Sequence, residues 1–119
     1  MDLNAKDAKN KKLGRAGEKQ AVKYLKKKGY KILEKNYKNP FGEVDIIAKK
    51  DDTVAFIEVK TRLSDIFGAP SEAVDAARRK RYINAAKYYF IRGCPYTVRF
   101  DVIEVYRGEI NHIINAFYS

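Results

Sequence analysis

Glu43, Asp45 and Glu58 stand among strand-forming apolar residues in "GEVDIIAKKDDTVAFIEVKTR", residues 42–62. Carboxylates are costly to place in such surroundings unless something positive compensates them. The nearest candidate is a single lysine, Lys60. Residues two apart in a strand point the same way. Glu58 and Lys60 therefore share one face near the end of "TVAFIEVK", and Glu43 and Asp45 share one face of "EVDIIA" before it. The intervening "KKDD" is short enough for an antiparallel hairpin, which brings Asp45 beside Glu58 if the register allows. Two carboxylates and an ammonium then occupy one small area. Such a group suits a hard divalent cation such as Mg²⁺, which takes oxygen ligands, keeps several waters and needs only one or two protein carboxylates. A cation held there can polarise a phosphodiester, lower the pKa of a bound water and neutralise charge in an in-line displacement. Lys60 would orient that water and stabilise the extra negative charge of the transition state. A plainer reading makes Glu58 and Lys60 a same-face surface ion pair, and Asp45 a strand-end acid bonded to a turn.

The elements that must position these residues can be read from period and punctuation. Residues 1–12, "MDLNAKDAKNKK", show no periodicity and read as a flexible basic arm or a fraying extension of the first helix. From Leu13 a helical pattern begins, with Gly17, Ala21, Tyr24 and Leu25 at three- and four-residue spacing. Lys19, Lys23, Lys26 and Lys27 fill the other face, and Gly29 is a natural stop. The small residues Gly14, Gly17 and Ala21 imply close approach to a sheet. "YKILEKNYK" (30–38) is a first strand, "NPFG" the turn after it, and the two acidic strands carry apolar residues on both faces, as strands covered on two sides do. After the loop "LSDIFGAP" (63–70), Ser71 can cap a helix whose apolar stripe is Val74, Ala77, Ile83, Ala86 and Phe90. Gly93 and Pro95 end it. "YTVRFDVIEV" and "INHIINAFY" then form two strands around "YRGE". The order is α-β-β-β-α-β-β, a single α/β domain over residues 13–119.

Composition removes several competing chemistries. Cys94 is the one cysteine, which excludes an internal disulfide and a Cys-based zinc cluster and fits a reducing cytoplasm. His112 is the one histidine, against a His-rich metal site or a Ser–His–Asp triad. No apolar run approaches the ~20 residues that span a bilayer, and no signal-peptide core opens the chain. With 25 Lys and Arg against 15 Asp and Glu, a net charge of +10, the expected partner is a polyanion rather than a membrane.

For phosphate contacts the sequence offers Arg62, two residues beyond Lys60, and the helical run Arg78, Arg79, Lys80 and Arg81. That run reads equally as a solvated helix face. The lysines of the first helix add diffuse charge. Tyr82, Tyr88 and Tyr89 are packing residues that could also stack on bases. His112 reads as structural and Cys94 as incidental. Ile113, Ile114 and Phe117 either form a homodimer interface or complete the sheet.

"GEVDIIA" followed by "FIEVKTR" resembles the signature of the YraN family, small bacterial proteins of the restriction-endonuclease-like, or PD-(D/E)XK, superfamily. The flanking "GRAGEKQAVKYLKKKGY", "FGAPSEAVDAARRKR" and "VRFDVIEV" agree, so the resemblance runs from Leu13 to about Val105. It implies an α-β-β-β-α-β core, a central mixed sheet flanked by helices, and Mg²⁺- or Mn²⁺-dependent cleavage of DNA or RNA. By motif position Asp45 corresponds to the first acid, Glu58 to the second and Lys60 to the lysine, with the peptide oxygen of Val59 as backbone ligand. Val44 stands where the superfamily motif has proline. Archaeal Holliday junction resolvases, relatives in that superfamily, add a glutamate on the first helix. Glu18 in "AGEKQA" is similar in placement and would complete the metal's outer shell, or else it is a solvated helix-face charge. The leading expectation is an endonuclease acting on DNA, and the resolvase analogy alone carries a preference for branched DNA. The alternatives are a non-catalytic nucleic-acid-binding module that keeps the fold, and an RNA-directed or ribosome-associated basic protein.

Overall fold

The computed structural model describes residues 3–62 and 76–117, with side chains from residue 14 onward. Its elements are α1 (Leu3–Lys27), β1 (Lys31–Asn39), β2 (Gly42–Lys50), β3 (Thr53–Thr61), α2 (Ala76–Tyr89), β4 (Thr97–Tyr106) and β5 (Glu109–Phe117). The strands form one sheet in chain order. Neighbours are antiparallel except β3 and β4, which run parallel. Parallel neighbours need a long crossover, and α2 lies within it. The result is a mixed five-stranded α/β fold, in keeping with the core expected from the sequence.

Period-2 alternation divides the core into two layers. Val54 and Phe56 of β3 pack with Tyr82, Ala85 and Ala86 of α2, together with Phe100, Val102 and Phe117. Ala55 and Ile57 pack the other way, with Ala21 and Leu25 of α1, together with Ile46, Ile103 and Val105. Phe117 stacks on Phe100 with centroids 4.9 Å apart, so it completes the sheet's core, whereas Ile114 is 53% exposed on the edge strand. Among the described residues no helix is long and apolar enough to cross a membrane.

Two features depart from the sequence pattern. α1 begins at Leu3 rather than Leu13, because its alanines and lysines favour helix without needing an apolar face. In α2, Ala77 of the expected stripe is exposed, and the buried positions are Tyr82, Ala85 and Ala86. Ser71, Val74 and the 63–70 loop lie outside the described residues.

A buried polar network fastens α1 to β4 and β5. Asp101 is fully buried, receives two hydrogen bonds from Arg99 at 2.9 and 2.8 Å, and sits 2.8 Å from His112 Nε2. His112 Nδ1 faces the Tyr24 hydroxyl at 3.1 Å, and Arg99 donates to the Tyr30 hydroxyl at 2.6 Å. Burial alone would raise the Asp101 carboxyl, but the His112 and Arg99 bonds, the Arg99 charge and the Asn115 amide outweigh it and lower it. His112 is thus structural, as its lone position in the sequence implied.

Gly17 sets how closely α1 approaches the end of β3. A Cβ there would collide with Thr61 Oγ1. Glycine to alanine in a helix interior ordinarily stabilises by about 1 kcal/mol. Here the opposite sign is expected: Gly17→Ala should destabilise by ~1–3 kcal/mol through overpacking. Adding Thr61→Ala should recover much of that loss. Denaturant titrations of the two single variants and the double variant measure the coupling, and purely additive effects would refute the contact.

Candidate active site

The β2–β3 ladder runs from Lys50↔Thr53 to Ile46↔Ile57 and goes no further. Asp45 and Glu58 are the next residues on the two strands, so they face one another where the strands part. The alternation of β2 also breaks at this point. Val44 belongs to the α2-side core and Ile46 to the α1-side core, although residues two apart in a regular strand share a face. On the neighbouring strand, Asn36 lies between the pairs Lys35↔Ile46 and Tyr37↔Val44, and its φ of 52° is left-handed. Asparagine tolerates that conformation better than most residues.

Side chains satisfy the backbone that the parted ladder exposes. Asp45 Oδ2 accepts from the Val59 amide at 2.8 Å. The Tyr82 hydroxyl accepts from the Asp45 amide at 3.4 Å and lies 3.5 Å from the Ile57 carbonyl, both long contacts. An acid and a helical tyrosine therefore stand in for missing strand pairs. The same arrangement fixes the Asp45 carboxylate in the gap.

Glu58 is 6% exposed. Its Oε1 accepts a short charge-assisted bond from Arg78 of α2, and its Oε2 is buried without a hydrogen-bond partner among the described residues. Lys60, two residues on, is close enough for its charge to stabilise ionised Glu58. Across the parallel ladder Lys60 pairs with Glu104, which is fully buried. Arg62 Nε donates to that carboxylate at 2.7 Å, with Nη2 in ion-pair contact at 2.6 Å but outside hydrogen-bond geometry, and Asn111 donates to it at 3.0 Å. Arg62 is thus engaged inward with Glu104.

Glu18 of α1 closes the rim. With its amide turned to donate, Asn36 bonds Glu18 Oε2 at 3.1 Å and Glu43 Oε1 at 2.9 Å, tying the helix to β2. Burial, followed by the charges of Asp45 and Glu43, raises the Glu18 carboxyl against the Asn36 bond. Burial likewise raises Asp45, opposed by the Val59 amide, with Glu43 adding to the rise and Arg78 countering it. Glu58 is raised by burial and by Asp45, against Arg78 and Lys60. Burial is the largest cause in all three, and at Glu58 the Arg78 charge outweighs the repulsion from Asp45.

Such a site fits a hard cation by its donor chemistry. Every donor is oxygen, Asp45 has a second carboxylate oxygen beyond the one bonded to Val59, and Glu58 Oε2 is a buried atom lacking a partner among the described residues. Among the described residues no three His, Cys, Asp or Glu side chains lie at metal-ligand spacing. Two carboxylates, a backbone oxygen such as that of Val59, and water make a set that Mg²⁺ accepts.

Asp45, Glu58, Val59 and Lys60 are brought together as their spacing implied, with Glu18 at the edge. The basic run of α2 is divided instead of forming one patch. Arg78 enters the site, Arg79 lies over the Phe117 ring at 5.9 Å, Arg81 reaches the β1–β2 turn at Gly42, and Lys80 is exposed. Sequence reasoning missed Asn36 and Glu104, and it read Tyr82 as a packing residue that could also stack on bases, without its hydroxyl's place at the parted strands. An asparagine inside "EKNYK" and an acid inside "VIEV" were the available signals.

These raised carboxyls have a signed consequence for stability. Each binds its proton more readily folded than unfolded, so at neutral pH its ionisation works against folding. That penalty fades as pH falls through the folded pKa toward the unfolded values near ~4. Asp101 has the opposite sign, stabilising above its unfolded value and losing that contribution as pH falls through its lowered one. In metal-free buffer, Asp45→Asn should therefore melt a few degrees above wild type at pH 7, with the gap closing toward about pH 4. Thermal melts across that window check it, and a variant less stable at neutral pH would contradict the assignment.

A family model described as "Uncharacterised protein family UPF0102" matches residues 17–105. A UPF0102 protein of Clostridioides difficile is 54% identical over 114 residues, covering 91% of this chain and 98% of its own. A UPF0102 protein of Thermodesulfovibrio yellowstonii is 50% identical over 107 residues, covering 89% and 96%. Another, from Caldanaerobacter subterraneus, is 46% identical over 121 residues, covering 94% and 99%. The matched region contains Glu18, Asp45, Glu58 and Lys60, and the agreement runs nearly end to end. The chain belongs to the UPF0102 family, the YraN family of the sequence resemblance.

Proposed function

We propose that this protein is a Mg²⁺- or Mn²⁺-dependent endonuclease that hydrolyses phosphodiester bonds in DNA. The observation that carries the proposal is the parting of β2 and β3, where Asp45 faces Glu58, Lys60 lies beside Glu58, and Glu58 Oε2 has no hydrogen-bond partner among the described residues. Asp45, Glu58 and the Val59 carbonyl would hold the cation, with Glu18 in its outer shell. A cation so held would polarise the phosphodiester and lower the pKa of the attacking water. In the hydrolysis water adds to phosphorus, the opposite P–O ester bond breaks, and the leaving oxygen takes up a proton. Lys60 orients the water and stabilises negative charge on the phosphoryl oxygens. Arg62, by holding Glu104, keeps a second buried carboxylate from competing for Lys60.

Membership of the PD-(D/E)XK superfamily belongs to this proposal, as does a branched-DNA substrate drawn from the resolvase analogy. So do a cytoplasmic setting and a homodimer matched to a two-fold substrate. The chief alternative is a nucleic-acid-binding module that keeps the fold without catalysis. The Arg78–Glu58 ion pair favours it, since it gives Glu58 a cation from the protein itself.

Calorimetric titration with Mn²⁺ should show binding that Asp45→Asn weakens strongly. Cleavage of linear, single-stranded and four-way-junction DNA should vanish in Lys60→Ala and Glu58→Ala. DNA affinity in chelator should change little in Lys60→Ala, by less than the ~1 kcal/mol of an exposed charge pair. Cleavage by Lys60→Ala at the wild-type rate would sink the active-site assignment. Tight binding without cleavage by wild type would favour the non-catalytic module.

A further inference from the structure

A cleft of about 260 Å³ opens from Asp45 between α1 and β1. Over a floor that includes Val22 and Ile46, it joins the half-buried Asp45 and Glu18 to the exposed Arg15 and Lys19 of the helix and Lys35 of the strand. All three cations are exposed, and none forms an ion pair among the described residues. Cations left without carboxylate partners keep their charge available to an incoming anion. Arg15 and Lys19 lie four apart on α1 and so share one side of the helix. Lys35 faces them from the strand next to β2. The cleft is thus anionic where the proposed cation would sit and cationic immediately outside it.

We infer that this cleft is a phosphate subsite, which holds the backbone phosphate next to the one at Asp45 and Glu58. The inference rests on the nucleic-acid reading above and adds where the strand runs. A nucleic acid strand presents phosphates in series, so one at the acid pair carries its neighbour along the chain into the adjoining opening. The volume lies below the ~300–1,000 Å³ of pockets for drug-sized ligands. That room suits one sugar-phosphate, so the expected contact is with the backbone of a strand and carries no sequence preference. The strand accordingly crosses the α1–β1 side of the site. It does not depend on the α2 run, whose Arg78 is engaged with Glu58.

The test measures binding of a fluorescein-labelled single-stranded oligonucleotide by anisotropy in EDTA across a salt series. The Arg15→Gln/Lys19→Gln/Lys35→Gln triple variant is compared with a control of equal charge change at exposed positions, Lys31→Gln/Lys87→Gln/Arg92→Gln. Each phosphate that the cleft cations neutralise adds about 0.7 to the slope of log K against log salt. Without those cations the slope should become shallower by ~0.7, the share of the one phosphate held there, with affinity at ~0.1 M salt about fivefold weaker. The control should stay near wild type. Lys19→Glu provides a second, single-site variant, and melting temperatures confirm folding. Equal affinity and slope in the two triple variants, or no binding by wild type, would overturn the subsite. If binding depends on the cleft while wild type cleaves nothing with Mn²⁺, the subsite stands and the nuclease reading falls. Undiminished binding by the cleft variant together with cleavage by wild type has the reverse meaning.

Discussion

The hydrogen bond from the Val59 amide to Asp45 Oδ2 is the contact on which the site depends. β2 and β3 pair regularly as far as Ile46↔Ile57 and then separate. A parted ladder inside a protein exposes peptide groups that cost about 1–3 kcal/mol each when unpaired. Asp45 satisfies one of them with a carboxylate, and Tyr82 reaches two more from the α2 side. The group that repairs the backbone is therefore also the acid that the nuclease proposal assigns to a cation.

Stability and chemistry pull against each other at this opening. Asp45, Glu58 and Glu18 are all held toward their protonated forms, chiefly by burial. Elsewhere the fold treats buried acids generously. Asp101 has Arg99 and His112, and Glu104 has Arg62 and Asn111. Only at the strand opening does a buried carboxylate oxygen go without a partner among the described residues. Retaining strain of this kind where a ligand can relieve it is the usual trade between a stable fold and a working site.

Much of this was legible in the sequence because it follows from short-range periodicity. The period-2 pattern of "EVDIIA" and "TVAFIEVK" and the short "KKDD" turn dictate a hairpin with Asp45 near Glu58. The resemblance added roles to residues that the spacing had already gathered. What escaped depends on contacts between distant segments. Arg62 looked like a phosphate ligand because Glu104 lies far along the chain and meets it only through the parallel β3–β4 pairing. Arg78 looked like one member of a basic run, although its place on α2 aims it at Glu58. The break in alternation at Asp45 was hidden because a period-2 reading assumes that the strand is regular.

The single parallel pairing also bears on how the molecule assembles. β1, β2 and β3 form a meander whose turns close short loops, whereas β4 joins β3 only after the chain has passed through α2. Loop-closure entropy favours the short connections. The hairpin that juxtaposes Asp45 and Glu58 is therefore a local structure, while Arg78, Glu104 and its partner Asn111 arrive with the crossover. Loop-closure entropy alone sets the expectation that the acids meet before the α2 cation that tempers them. The crossover then carries a burden beyond connection, because docking α2 both seals the core and quenches the repulsion that the nascent hairpin has created.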